Sequence, residues 1–233
     1  MIEAEWWEYD DVGEMADAVA GDIGFIVESA LDARGSCLLA LPGGRTPQPI
    51  FAKLAAASLP WKKVTIIPTD DRLVPMQDER SNVRAIAQAF LRAGARVVPI
   101  ATEIPDHKLA GNSADARLQD LPWPPDLCWL GMGEDGHVAS IFAGPDLQDA
   151  LDAPKARRAV GVMPDPMPSD APVPRVTLTR ASILSARTIL ITITGQKKRE
   201  LLQGAIADGQ SSKLPIGRVL AEVEQPIDIH WAP

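Results

Sequence analysis

Short runs that are almost uniformly apolar recur along the chain: Cys37–Leu41, Val64–Ile67, Leu127–Leu130 and Thr188–Ile193. Each gives way to a turn and then to a helix-forming stretch. A strand with one wet face alternates apolar and polar residues, whereas these runs do not, so both of their faces must be covered. Parallel neighbours can be reached only through a crossover long enough to hold a helix. The pattern therefore predicts an α/β fold, a mostly parallel sheet with helices on both faces. A chain of 233 residues that is 46% hydrophobic, with no linker and no repeat, is expected to form a single domain over residues 1–233.

The helices follow from caps and spacing. Asp10 and Asp11 can cap a helix that carries Met15, Val19, Ile23, Ile26 and Ala30 on one stripe and ends at Gly35. An Ala-rich helix follows Pro47, and Ser81 and Asn82 can cap another that carries Ile86, Phe90 and Leu91 and closes at Gly94. Arg96–Ile100 reads as a strand, residues 112–120 as a polar helix, and the segment from Gly144 to Pro174 as loop with one strand candidate, Ala159–Val162. Order returns with strands at Arg175–Thr179 and Ile227–Trp231, and helices after Arg180, Gly195 and Leu214.

Composition narrows the partners. A net charge of -8 and a pI near 4.9 argue against sequence-independent nucleic-acid binding, which needs an overall basic face. The start of the chain has no basic region followed by an apolar core, and no run reaches membrane-spanning length. The expected location is cytoplasmic. Cys37 and Cys128 both sit inside apolar runs and read as buried reduced thiols.

Chemistry-bearing residues collect just beyond the apolar runs, the edge where open α/β sheets hold ligands. Pro42-Gly-Gly-Arg-Thr-Pro47 places two glycines, a cation and a hydroxyl before a helix whose first turn holds proline. Free amides at such a terminus bind phosphate; an ordinary tight turn would have no use for Arg45. After the second run come Asp70, Asp71 and Arg72. They fit either a surface ion pair or an anion-binding arginine with a polar substrate contact.

After the third run, Gly131, Gly133 and Gly136 deliver Asp135 and His137 two residues apart. The glycines spell G-x-G-x-x-G, but Glu134 and Asp135 would oppose a bound pyrophosphate, and the match lies mid-chain. The better use of the turn is to expose a carboxylate and an imidazole, the second taking a proton from water and the first fixing its tautomer. The pair lacks a third metal ligand, and no G-x-S-x-G nucleophile elbow occurs. His107, in a polar loop, and His230, on the last strand, read as structural or solvated. Lys197, Lys198 and Arg199 in a first helical turn, poorly matched to the helix dipole, suggest either a nearby anion or a solvated face.

These pieces, with Pro174-Arg-Val-Thr-Leu-Thr179 and Gly195-Gln-Lys-Lys198, occur in an order that resembles the 6-phosphogluconolactonases, within a wider group that includes the glucosamine-6-phosphate deaminases. The resemblance implies a Rossmann-like domain that hydrolyses 6-phospho-D-glucono-1,5-lactone to 6-phosphogluconate in the pentose phosphate pathway, with no metal or organic cofactor. It implies that Gly43, Gly44, Arg45 and Thr46 line the sugar-phosphate site and that Arg72, Arg175 and Lys198 supply positive charge. His137 would be the general base, with Asp135 beside it and Asp70 on the sugar. Arg72 could serve the phosphate or the oxyanion. Arg45 stands where the family commonly has serine, and Asp71 where it commonly has glutamate.

The implied partner is a small sugar-phosphate lactone, bound by a monomer or small homo-oligomer with no nucleic acid and no membrane. Deaminases continue after the histidine with Asn-Glu-Pro, whereas Ser140-Ile-Phe-Ala-Gly-Pro145 offers no carboxylate. That favours the lactonase. A non-catalytic sugar-phosphate-binding module would have no need of Asp135 and His137 together.

Overall fold

The computed structural model describes residues 2–233. Its strands are β1 (Ala4–Glu8), β2 (Cys37–Leu41), β3 (Val64–Pro68), β4 (Asp70–Arg72), β5 (Arg96–Val97), β6 (Leu127–Leu130), β7 (Ala159–Val162), β8 (Arg175–Leu178), β9 (Thr188–Thr194) and β10 (Ile227–Ala232). Its α-helices are α1 (Val12–Arg34), α2 (Pro47–Ala55), α3 (Asn82–Phe90), α4 (His107–Leu118), α5 (Leu147–Leu151), α6 (Arg180–Ser185), α7 (Gln196–Asp208) and α8 (Pro215–Leu220).

Seven strands form one parallel sheet in the order β1-β10-β9-β6-β2-β3-β5. The apolar runs fill its centre for the reason their composition implies. Along β2, Leu38 and Ala40 point into one apolar cluster while Cys37, Leu39 and Leu41 point into the other. In β6, Cys128 and Leu130 are divided in the same way from Leu127 and Trp129. One cluster is closed by α1, α2 and α3, the other by α4, α8 and a second sheet. Both cysteines are buried and unpaired, and burial alone pushes the Cys128 thiol up to about 12. No described helix is long and apolar enough to cross a membrane.

Helix α1 shows how local sequence sets an element. The Asp11 carboxylate accepts the Glu14 amide (2.8 Å), and Gly35, at φ 73°, returns its N–H to Leu31 in a left-handed turn that a side chain would strain. The buried stripe is Met15, Val19, Ile23, Val27 and Ala30, so Val27 takes the place expected of Ile26, which is only partly covered.

Other differences concern the bounds and number of the elements. The strand expected over Arg96–Ile100 shortens to two residues. The helix expected at residues 112–120 begins at His107, whose turn is capped by Asp106 through the Leu109 amide (2.8 Å), so His107 is helical rather than in a loop. Strand β1 was not marked by any apolar run; it pairs in parallel with β10 at the sheet edge. The short helix α5 lies inside the loop-rich segment.

The largest difference concerns Asp70–Arg72 and Arg175–Leu178. They leave the parallel sheet and form a three-stranded antiparallel one, in the order β4-β8-β7. Thr69 joins the two sheets: its N–H donates to the Leu41 carbonyl at the end of β2 (2.9 Å), and its carbonyl accepts from Leu178 on β8 (2.9 Å). This link brings the charged strand β4 to the carboxyl end of the parallel sheet.

Candidate active site

A cleft of about 320 Å³ opens at that edge. Gly43, Gly44, Arg45, Thr46, Asp70, Arg72, His137, Arg175 and Lys198 all line it, and Asp135 stands behind His137. Sequence positions more than 150 residues apart thus meet in one place.

The glycine loop between β2 and α2 forms one wall. Gly44 adopts φ 95°, which only glycine takes without strain, and Pro47 starts the helix. The Gly44, Arg45 and Thr46 amides make no hydrogen bond among the described residues, and the Thr46 side chain does not cap the helix. Donors at a helix start with no internal acceptor are suited to an anion. Arg45 is exposed at the rim.

The facing wall is cationic. Arg72 and Arg175 are register partners across β4 and β8, so two like charges stand side by side. Arg72 gives Nη1 to the Arg80 carbonyl (2.7 Å) and to Asn82 Oδ1 (2.9 Å). Arg175, 3% exposed, gives Nη2 to the Ala171 carbonyl (2.9 Å). Each keeps a buried Nε–H with no acceptor. Such orphans are rare in native proteins and call for a partner. Burial, partly offset by Asp70 and reinforced by Arg72, makes Arg175 easier to deprotonate than usual.

Lys198 completes this charge from the first turn of α7, its ammonium destabilised mainly by burial. Its neighbours turn elsewhere: Lys197 pairs with Glu134 (2.6 Å), and Arg199 pairs with Glu8 and lies 4.5 Å over the Trp231 ring. The basic cluster therefore contributes one cation to the cleft.

The turn after β6 carries the acid and the imidazole. Asp135 Oδ1 lies 2.6 Å from His137 Nδ1 and also accepts the His137 amide (3.2 Å). The bond to His137 holds the Asp135 carboxyl below its usual range. An ionised carboxylate only accepts, so Nδ1 carries the proton and, in the neutral ring, Nε2 is left bare. The imidazole stacks on Phe142, with centroids 4.3 Å apart, and the Arg175 guanidinium lies 5.3 Å from the same ring. Gly136, at φ 76°, and Gly133, which has no room for a side chain beside the imidazole, let the turn close this tightly.

Several residues in or around the cleft take roles that the sequence did not assign them. Asn82, which the sequence offers both as a helix cap and, with Ser81, as a piece of the family resemblance, lines the cleft; the cap is Ser81, which accepts the Arg84 amide (3.3 Å). Ser140, fully buried, donates to Asp70 Oδ2 (2.6 Å) and ties the histidine turn to β4. Asp71 turns away from the cleft: its carboxylate accepts from Arg72, Asn82 and Val83 amides and the Ser81 hydroxyl, and burial raises it to about 6. Asp146, the first carboxylate after His137, is taken by Lys108 (2.6 Å) and the Met163 amide (2.7 Å). His230 is buried, with Nδ1 2.8 Å from the Tyr9 hydroxyl and Nε2 unpartnered, so its hydrogen bonding is only half satisfied. No group of three His, Cys, Asp or Glu side chains among the described residues could hold a metal ion.

The class of protein follows from a family match, to the glucosamine-6-phosphate isomerases/6-phosphogluconolactonase family. The family model matches residues 10–231, and the chain belongs to that family. Among curated relatives, proteins named 6-phosphogluconolactonase from Rhizobium meliloti and Mesorhizobium japonicum are 37% and 38% identical. The matches cover 97% of this chain and 97% of the first relative, and 98% of this chain and 95% of the second. The crystal structure of a 6-phosphogluconolactonase from Shewanella baltica superposes with a TM-score of 0.90 at 30% identity, covering 99% of this chain and 98% of that one.

Proposed function

We propose that this chain hydrolyses 6-phospho-D-glucono-1,5-lactone to 6-phospho-D-gluconate, a step of the pentose phosphate pathway, and does so in the cytoplasm where such soluble sugar phosphates are handled. The observation that carries the reading is an imidazole with its tautomer fixed by Asp135, opening onto a cleft whose opposite wall holds two buried, unpartnered guanidinium Nε–H groups.

In this reading the amides of Gly44, Arg45 and Thr46 receive the phosphate with Lys198 and Arg175. Asp70, fixed by Ser140, accepts from a sugar hydroxyl. His137 Nε2 takes a proton from water as the water oxygen bonds to the lactone carbonyl carbon. The carbonyl oxygen becomes an oxyanion in reach of the cationic wall. Collapse breaks the bond to the ring oxygen, which leaves with the proton held on Nε2, and the new carboxylic acid ionises. A lactone is an activated ester, so a positioned base, worth roughly 10² to 10⁴ in rate, and oxyanion stabilisation are sufficient.

The deaminase alternative is disfavoured because no carboxylate follows His137 until Asp146, which is engaged away from the cleft. The deciding experiment follows freshly generated lactone and, in parallel, glucosamine 6-phosphate. Lactone opening well above the spontaneous rate without ammonia release is expected. Ammonia release without lactone opening would replace this reading with the deaminase one, and binding of 6-phosphogluconate with neither reaction would leave only a binding module.

The same reading makes Gly133 sensitive. A Cβ there would lie 2.2 Å from His137 Nδ1 and 2.6 Å from Asp135 Oδ1. Gly133→Ala should lower kcat at least about 10-fold by displacing the base, with little change in affinity for 6-phosphogluconate. A variant with wild-type kcat would show that the turn can shift without moving the imidazole.

A further inference from the structure

We propose that Asn82 is a positioning residue for anion binding: its carboxamide holds Arg72 so that the guanidinium's free Nε–H meets the substrate's anionic oxygens. The inference rests on the sugar-phosphate reading above.

Asn82 is the first residue of α3 and 4% exposed. Its backbone N–H donates to Asp71 Oδ1 (2.7 Å), which fixes the residue against β4. Its side chain then spans two groups that accept no substitute. Nδ2 donates to the Asp70 carbonyl (2.8 Å), and Oδ1 accepts from Arg72 Nη1 (2.9 Å). A carbonyl can only accept and a guanidinium can only donate, so the amide has one permitted orientation. The Arg80 carbonyl takes Arg72 Nη1 as well (2.7 Å), so both of that nitrogen's hydrogens are engaged. The Nε–H is left buried and unpaired.

The same carboxamide is the floor of the glycine loop. A Cβ at position 43 would fall 1.9 Å from Asn82 Oδ1, 2.1 Å from Cγ and 2.5 Å from Nδ2. The Gly43 backbone therefore lies directly on the amide, and only glycine allows that approach. Gly43, from the loop after β2, and Asp70 and Arg72, both on β4, all rest on one side chain. An amide used only to start a helix would not need to face the cleft or to bridge a carbonyl and a guanidinium.

The test is the affinity for 6-phosphogluconate, by calorimetric titration, of wild type, Asn82→Ala, Arg72→Ala and the double variant, with steady-state kinetics beside it. Asn82→Ala should weaken binding about 10-fold, the scale of a hydrogen bond to a charged group, and raise KM more than it lowers kcat. In the Arg72→Ala background the further loss should shrink to within about 2-fold, because residues in one network are not additive. A full, undiminished loss in that background would overturn the proposal, as would unchanged binding in Asn82→Ala.

Should the alanine variant fail to fold, Asn82→Leu keeps the branched shape of the side chain but loses both the acceptor for Arg72 and the donor to the Asp70 carbonyl. It is expected to bind at least about 10-fold more weakly; wild-type affinity there would overturn the proposal. Wild type that binds 6-phosphogluconate without opening the lactone would remove the hydrolase reading and leave this coupling testable. Wild type that does not bind it would overturn both.

Discussion

Replacing His137 by alanine should lower kcat/KM for lactone opening at least about 100-fold while leaving 6-phosphogluconate affinity nearly unchanged. The separation follows from where the charges lie. The groups that would hold the phosphate are the glycine-loop amides, Arg175 and Lys198, and none is hydrogen-bonded to the imidazole. What His137 supplies is a bare Nε2, set by the acid on its other nitrogen at 2.6 Å, on a ring held in place by the flat face of Phe142. His137→Gln is the informative companion, because it fills much of the space and can still hydrogen-bond Asp135 but cannot take a proton from water. Both variants should fall to similar residual rates. Turnover by either at the wild-type rate would remove the base assignment, and loss of product binding would place His137 in the anchor instead.

The parallel sheet was legible because its central strands are buried on both faces, and a run such as Cys37–Leu41 has no other economical home. The second sheet was not. Strand β4 consists of Asp70, Asp71 and Arg72, and its place depends on pairing with β8 more than a hundred residues later. The Asp135–His137 turn was legible from glycine spacing, since those glycines have a local steric purpose. Ser140 on Asp70, the split of Lys197, Lys198 and Arg199, and the double use of Asn82 arise only once remote segments meet. Residue types could nominate the cations and the base; they could not say which polar groups would be satisfied and which left open.

The open groups lead to the second large effect: Arg175→Met should reduce kcat/KM about 100-fold or more, chiefly through KM, while the ligand-free protein unfolds at an equal or higher temperature. Truncating a buried, charged contact to a ligand typically costs about 2–5 kcal/mol of binding. In the free protein the same guanidinium is a burden. It is desolvated, stands in register with Arg72, carries an unsatisfied Nε–H and returns one hydrogen bond to Ala171. Replacing a buried ion by an apolar side chain of similar volume is often neutral or stabilising, and methionine can keep the contact with the Phe142 ring. Wild type should therefore gain thermal stability when 6-phosphogluconate is added, because the anion satisfies both arginines, and the variant should lose that gain. A variant that melts at a lower temperature yet keeps its KM would show that Arg175 holds β8 rather than the substrate. Retention of the wild-type stability difference between free and bound forms would have the same meaning, since only a residue that meets the ligand makes folding depend on it.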